Sequence, residues 1–392
     1  MPSPRPQSDH ASTIEERPDP VWIDDPKSLA KLVRVLERQT EFAIDTEANS
    51  MFAYQERLCL VQISTKKRDY VIDPFEVDIE ALAPALADPG ITKVLHGAEF
   101  DVLMLKRTAP IEIASIFDTR VAASSLGETQ LGLAGLLKER FSVELDKRHQ
   151  RSDWGRRPLS PSQIDYARRD TCYLLELANQ LRTELHDCEA PHSHEVGAEC
   201  RRLAALEPSP VTVDLGKLKG AGRLDGHGRR ALEHLNGLRH DLARARDVPL
   251  FKVLSNDLIL ALATKRPRNR NELDRIPKMP RRFVEQHGSE VIAVLAEAKA
   301  KGPSQKASPD TNGDPKLRGA EAETYERLRK WRQSAGERRG VENALILPRP
   351  MLFALAMLRP QPKSIEDLAG AGVIERWRAL YYGDEILDAL RG

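Results

Sequence analysis

The C-terminal half of this 392-residue chain repeats itself. Val248-Pro249 through the run LILALATKRP aligns with Val341-Glu342 through LFALAMLRP at a shift of about 93 residues. Further on, Gly288-Ser289-Glu290-Val291-Ile292 matches Gly383-Asp384-Glu385-Ile386-Leu387. A duplication constrains the fold strongly, because whatever one copy becomes the other must become too. Both copies carry apolar positions at helical spacing and few strand signals, so each reads as a small all-α bundle. The stretch between them, KGPSQKASPDTNGDPK, is poor in apolar residues and rich in Pro, Gly, Ser, Asp and Lys, the composition of a flexible linker.

Upstream the pattern alternates between strand and helix. Residues 27–37 read as a helix, and short apolar runs at 42–44, 58–63, 70–72 and 92–95 read as strands, with 113–117 as a candidate fifth. Ser160-Pro161-Ser162-Gln163 is a helix start with Ser at N-cap, Pro at N1 and Gln at N3, and apolar spacing runs on towards Leu185. The expected class is an α/β domain, a mixed sheet flanked by helices, followed by two helical bundles. The expected boundaries are a disordered tail at 1–20, the α/β domain at 21–188, a connector at 189–227, the first bundle at 228–300, a linker at 301–319 and the second bundle at 320–392.

Several function classes drop out. The start lacks a basic segment followed by an apolar run, and the longest unbroken apolar stretch, 351–358, is far short of the roughly 18 residues a membrane helix needs. The four cysteines form no C-x-x-C pair, which suits a reducing cytoplasm. Cys188, His192, His194 and Cys200 cluster in sequence, but their spacing fits no usual zinc signature. No G-x-S-x-G, Walker loop or H-E-x-x-H is present.

Three segments carry the chemistry. In FAIDTEANS, a strand through 42–47 points Asp45 and Glu47 from one face. In VLHGAEFDVLML a strand gives way to a helix, and Asp101 lies in its first turns amid Phe100, Val102, Leu103 and Leu105. In DYARRDTCYLLEL, Tyr166 and Asp170 are four positions apart on the capped helix, hence on one face. Each has an ordinary reading as well: acidic residues entering a loop, an exposed helical carboxylate, a common Tyr/Asp pair. A buried Asp101 would instead need a partner or a cation.

Taken together and in order, D-x-E on a strand, an Asp opening a middle helix and Y-x-x-x-D on a late helix resemble the exonuclease motifs of the DEDD superfamily in its tyrosine-containing branch. The flanking LCLVQIS, IFDTRVAA and LDKRHQRSDWGRRPLSPSQIDYARRDTCYL resemble the ribonuclease D family, and the duplicated bundles resemble HRDC domains. The resemblance implies an RNase H-like nuclease domain and a 3′-to-5′ exoribonuclease releasing 5′-monophosphates from structured RNA ends such as tRNA precursors. It also implies two divalent cations, Mg²⁺ or Mn²⁺, because hard cations prefer carboxylate oxygen. By motif position, Asp45 would bridge both metals, Glu47 and Asp170 would complete the water-side metal, and Asp101 would anchor the other through coordinated water. Tyr166 would orient the attacking water, replacing the histidine of the sister branch. Asp118 in FDTR reads as structural support more than ligand.

Substrate contacts are read from charge and position. His96 and Phe100 lie close before Asp101, where they could meet a terminal nucleotide, Phe100 by stacking, although core packing is the better reading for an aromatic on a largely apolar face. Lys147, Arg148, Arg151, Trp154 and Arg157 precede the last motif helix and could touch substrate phosphates, with ordinary loop packing an equal reading, above all for Trp154. Residues 21–190 hold 22 basic against 28 acidic residues, whereas 228–301 hold 16 against 9. The first bundle's run KRPRNRNELDRIPKMPRR, with Arg266, Arg268 and Arg270, has the density that phosphate contacts require. The second bundle holds 12 basic against 11 acidic residues and reads as a packing module. The expected partner is RNA, with no membrane association and a monomer favoured. A DNA exonuclease and a silent RNA-binding scaffold are the alternatives.

Overall fold

β2 (Glu41–Ala48) is an interior strand because Phe42, Ala43 and Ile44 are apolar in succession, which only a strand covered on both faces can bury. It pairs antiparallel with β3 (Leu58–Ser64), which pairs antiparallel with β4 (Asp69–Ile72). On its other side β2 runs parallel to β5 (Thr92–Leu95), and β5 runs parallel to β6 (Ile116–Asp118). β1 (Val21–Ile23) closes the opposite edge, parallel to β4, giving the order β1-β4-β3-β2-β5-β6. The expected mixed sheet is present. β1 escapes sequence reading because three residues after Pro20 are too few to establish a period. The computed structural model describes residues 17–146, 148–188, 191–209, 215–305 and 316–391. Most of the expected tail and the centre of the expected linker lie outside the described residues.

The motif helix Pro161–Cys172 starts where the sequence says it should. Ser160 and Gln163 form a reciprocal capping box, with Pro161 at the first position. The apolar run towards Leu185 is two helices, Pro161–Cys172 and Leu174–Asp187, meeting at Tyr173. Residues expected to form a mostly irregular connector contain the helix His192–Ala204, whose buried face is Glu195, Val196, Cys200 and Leu203. Its start, His192-Ser193-His194-Glu195, is polar, so no apolar period marks where it begins. No helix among the described residues is long and apolar enough to cross a membrane.

The chain divides into two units. One holds the first bundle, with the helices Gly226–Ala245, Asn256–Lys265 and Arg281–Ala300 packed around Leu232, Leu235, Ile259, Leu262 and Val291. It includes Asn49–Arg57, the segment joining β2 to β3: Tyr54 hydrogen-bonds His240 at 2.9 Å and Arg57 pairs with Asp247 at 3.1 Å. The other unit holds the sheet, its helices and the second bundle, whose long helices are Ala320–Arg339 and Arg376–Arg391.

A buried ion pair fastens that second bundle to the α/β domain. Glu195 is fully buried and accepts from the Arg339 guanidinium (3.0 Å to one oxygen), the Tyr382 hydroxyl (3.0 Å) and Ser125 Oγ (3.0 Å). Three groups from three other helices satisfy one carboxylate. Removing Arg339 would leave the charge buried and uncompensated, so Arg339→Ala should cost about 3–5 kcal/mol of stability. Urea unfolding should find Glu195→Gln, which keeps the shape without the charge, markedly less damaging.

Candidate active site

Strand alternation and one bulge set the first two carboxylates. Asp45 pairs across β2 and β3 with Gln62, Glu47 pairs with Leu60, and the register then slips between Glu47 and Ala48. Both project from the same face, over which the motif helix packs. That helix contributes Tyr166 and Asp170 one turn apart. Carboxylate oxygens of Asp45, Glu47 and Asp170 lie within 4.8 Å of one another.

The fourth carboxylate is placed by a different device. β5 ends at Leu95, the chain turns at Gly97 in the left-handed region (φ +77°), and the helix Glu99–Thr108 begins. A glycine suits that turn because a side chain there is strained. Asp118 holds the turn in place, its buried carboxylate accepting from Gly97 N (3.0 Å) and Ala98 N (2.7 Å) while capping its own helix through Arg120 N (2.8 Å) and Val121 N (3.2 Å). Asp118 is structural support, as its sequence context suggested. Asp101 is buried and accepts a 2.6 Å hydrogen bond from Thr46 Oγ1. Thr46 lies between the two motif carboxylates and projects from the other face; only the fold brings it to Asp101.

Electrostatically the site is under tension. Burial, then repulsion from Asp101, Asp170 and Glu47, pushes the Asp45 carboxyl well above the ordinary range. Burial and then Asp170 and Asp101 raise Glu47 to about 9. Burial raises Asp170 to about 7, and raises Asp101 to about 7 against the opposing Thr46 bond. Among the described residues no arginine or lysine pairs with Asp45, Glu47 or Asp170. An all-oxygen, uncompensated, closely spaced set is what hard divalent cations are held by, and Asp45, Glu47 and Asp170 fit one. Tyr166 is pushed upward by burial first and then by Asp170 and Glu47, so its hydroxyl keeps its proton at neutral pH.

The other candidates separate. His96 donates or accepts through Nδ1 with Thr119 Oγ1 at 2.9 Å, and its Nε2 is buried. Phe100 is 45% exposed beside Asp101. Lys147 lies outside the described residues; Arg151 is exposed and Arg148 pairs with Asp146. Arg157 is committed to structure, donating to Asp73 (2.8 Å) and to the carbonyls of Cys59 and Trp154 (both 2.8 Å). Trp154 is buried and packs on Tyr166, ring centroids 5.9 Å apart. Arg266 pairs with Asp225 at 2.6 Å, while Arg268 and Arg270 are exposed. The cysteine and histidine cluster is not assembled: Cys188 is exposed, His194 stacks on Trp377, and Cys200 accepts from Asp118 N.

Residues 20–186 match the 3′-5′ exonuclease family, and residues 229–295 and 321–390 each match the HRDC domain. The ribonuclease D of Pseudomonas paraeruginosa is 31% identical over 375 residues, covering 95% of this chain and 98% of that one. The chain belongs to the ribonuclease D family. RNase D of Escherichia coli shares the fold, with a TM-score of 0.66 at 22% identity over 95% of this chain and 99% of that one. The exosome complex component 10 homolog of Caenorhabditis elegans is 34% identical over 283 residues, 71% of this chain; the matched part is only about a third (32%) of that longer protein. Ribonuclease D family membership accounts for the order of strand, middle helix and late helix on which the carboxylates sit.

The raised carboxyls have a pH consequence. Between the ordinary range of about 4 and the raised values of about 7 to 9, the folded chain holds protons that the unfolded chain has released. In chelator, stability should therefore be greatest in acid and fall as pH rises from about 5 to about 9. Saturating Mn²⁺ should flatten that fall, with protons released on binding. Urea midpoints across this range, with EDTA or with Mn²⁺, check both signs.

Proposed function

We propose that the chain is a 3′-to-5′ exoribonuclease that hydrolyses the terminal phosphodiester of structured RNA, such as tRNA precursors, using two divalent cations and releasing 5′-monophosphates. The observation that carries this reading is the convergence of Asp45, Glu47 and Asp170 beside Tyr166. The ribonuclease D relative, aligned over almost its whole length, supports RNA as the substrate.

When bound, the cations supply an activated water and stabilise the departing oxygen. Asp45, Glu47 and Asp170 would hold them, with Asp101 behind them kept in one orientation by Thr46. Tyr166, a neutral phenol, hydrogen-bonds the attacking water and fixes its line of approach. Trp154 packed on its ring restricts how far that hydroxyl moves. Phe100, exposed next to Asp101, offers a face on which a terminal base can stack.

Digestion of matched 5′-labelled RNA and DNA strands, with Mg²⁺, Mn²⁺ or EDTA, tests the reading. Stepwise shortening from the 3′ end that needs the metal and prefers RNA is expected. Equal or faster digestion of DNA would overturn the substrate, and full activity in EDTA would overturn the mechanism.

The first bundle's cations would hold the RNA body. Its groove is lined by Lys265, Arg266, Arg268 and Lys299 around His227 and Glu272. Because each phosphate contact displaces counterions, neutralising Arg266, Arg268 and Arg270 together should lower the salt slope of RNA binding by roughly 0.7 to 0.9 per lost contact. Arg266 should contribute least, since Asp225 already pairs with it. Affinity titrated against salt for wild type and the triple variant checks this; coincident lines would make the run a solvated face.

A further inference from the structure

Gln62 is wholly buried on β3, yet neither Oε1 nor Nε2 has a hydrogen-bond partner among the described residues. Leaving such an amide unpaired costs about 1–3 kcal/mol. An apolar residue of similar volume would fill the same space without that cost, since Gln62 shares its layer with Leu60 and Val71.

Strand register says what the amide is near. Gln62 stands directly opposite Asp45 on β2, and directly opposed residues of an antiparallel pair project from the same face with Cβ atoms about 5 Å apart. Two residues along that face, Ser64 Oγ meets Thr171 Oγ1 at 2.8 Å, and Thr171 adjoins Asp170. Two residues the other way, Leu60 packs in a cluster with Trp154, Ala167 and Tyr166. Gln62 thus lies beside Asp45 and beneath the helix that carries Tyr166 and Asp170. In that same cluster the indole Nε1 of Trp154 is another buried polar atom without a partner among the described residues. It can only donate, and Gln62 Oε1 can only accept.

We infer that Gln62 is a positioning residue for the metal site: its amide N–H, which meets no protein acceptor directly, donates to the Asp45 carboxylate through one bridging water and fixes the orientation in which Asp45 receives the cations. This rests on the two-cation reading above. Carboxylates that ligate metals are oriented by outer hydrogen bonds, and loss of such a bond typically weakens metal binding 10- to 100-fold. A water shared by Oε1 and the Trp154 indole N–H would keep the amide from flipping, so that Trp154 serves the site twice, packing against Tyr166 and orienting Gln62.

Calorimetric titration of Mn²⁺ into wild type, Gln62→Leu and Gln62→Met, with thermal melts of each in EDTA, tests the inference. Both variants should bind Mn²⁺ roughly 10- to 100-fold more weakly, with melting midpoints in EDTA equal to or above that of wild type. The turnover number on RNA should drop in the same variants while KM changes little. Wild-type Mn²⁺ affinity in either well-folded variant would overturn the role, as would affinity losses that merely track a lowered melting point. Failure of the wild-type chain itself to bind Mn²⁺ would refute the two-cation reading instead, so the two failures are distinguishable.

Discussion

Asp45→Asn should abolish RNA cleavage while leaving the fold intact. The expected loss is at least about 10³-fold in kcat, because a neutral amide in the centre of the cluster removes several kcal/mol of charge stabilisation that the cations would otherwise deliver to the transition state. Stability should move the opposite way. Asp45 is buried against Asp101, Asp170 and Glu47, and its carboxyl is already driven towards the protonated form that Asn imitates. The metal-free variant should therefore unfold at the same or higher denaturant concentration near neutral pH, and the wild-type loss of stability on the alkaline side should shrink. A variant that cleaves RNA at near-normal rates would remove Asp45 from the site. One that fails to fold would contradict the electrostatic account instead, since relief of repulsion cannot destabilise the chain.

The side chains that the fold brings together, Asp45, Glu47 and Asp170 with Tyr166, were readable in sequence because each motif is local. D-x-E lies within one strand, Y-x-x-x-D within one helix, and the capping box before Tyr166 sets where that helix begins. Asp101 was half readable: its place in a helix follows from the pattern, but its burial follows from Thr46 across 55 positions. Gln62 carried no signal, since a glutamine in an apolar strand looks like a solvent-facing position until β2 and the motif helix cover it. The helix His192–Ala204 was missed for a related reason. Its buried face is organised around Glu195, whose partners Arg339 and Tyr382 come from the last bundle, nearly 150 residues or more away. Long-range polar satisfaction leaves no periodicity to read. Arg157 shows the converse, a cation for which sequence left substrate contact and packing equally open and which Asp73 and two carbonyls claim.

Tyr166→Phe separates positioning from ligation. The phenol lies beside the cluster, and burial first, then the same negative charges that would draw cations, hold its proton in place, so it acts as a neutral hydrogen-bonding group through the neutral range. Removing only the oxygen should lower kcat by roughly 10²–10⁴-fold, the range for a lost acid/base or orienting group. Mn²⁺ affinity should stay within about twofold of wild type by calorimetry, because Asp45, Glu47 and Asp170 are untouched. The phenylalanine ring keeps the contact with Trp154, so the melting point should barely change. The pH profile supplies the second readout. Its rising limb should keep the same position in the variant, since the phenol stays protonated through this range and does not generate it. Loss of Mn²⁺ binding in Tyr166→Phe would make the tyrosine a ligand, and loss of the rising limb would make it the group whose ionisation drives the reaction.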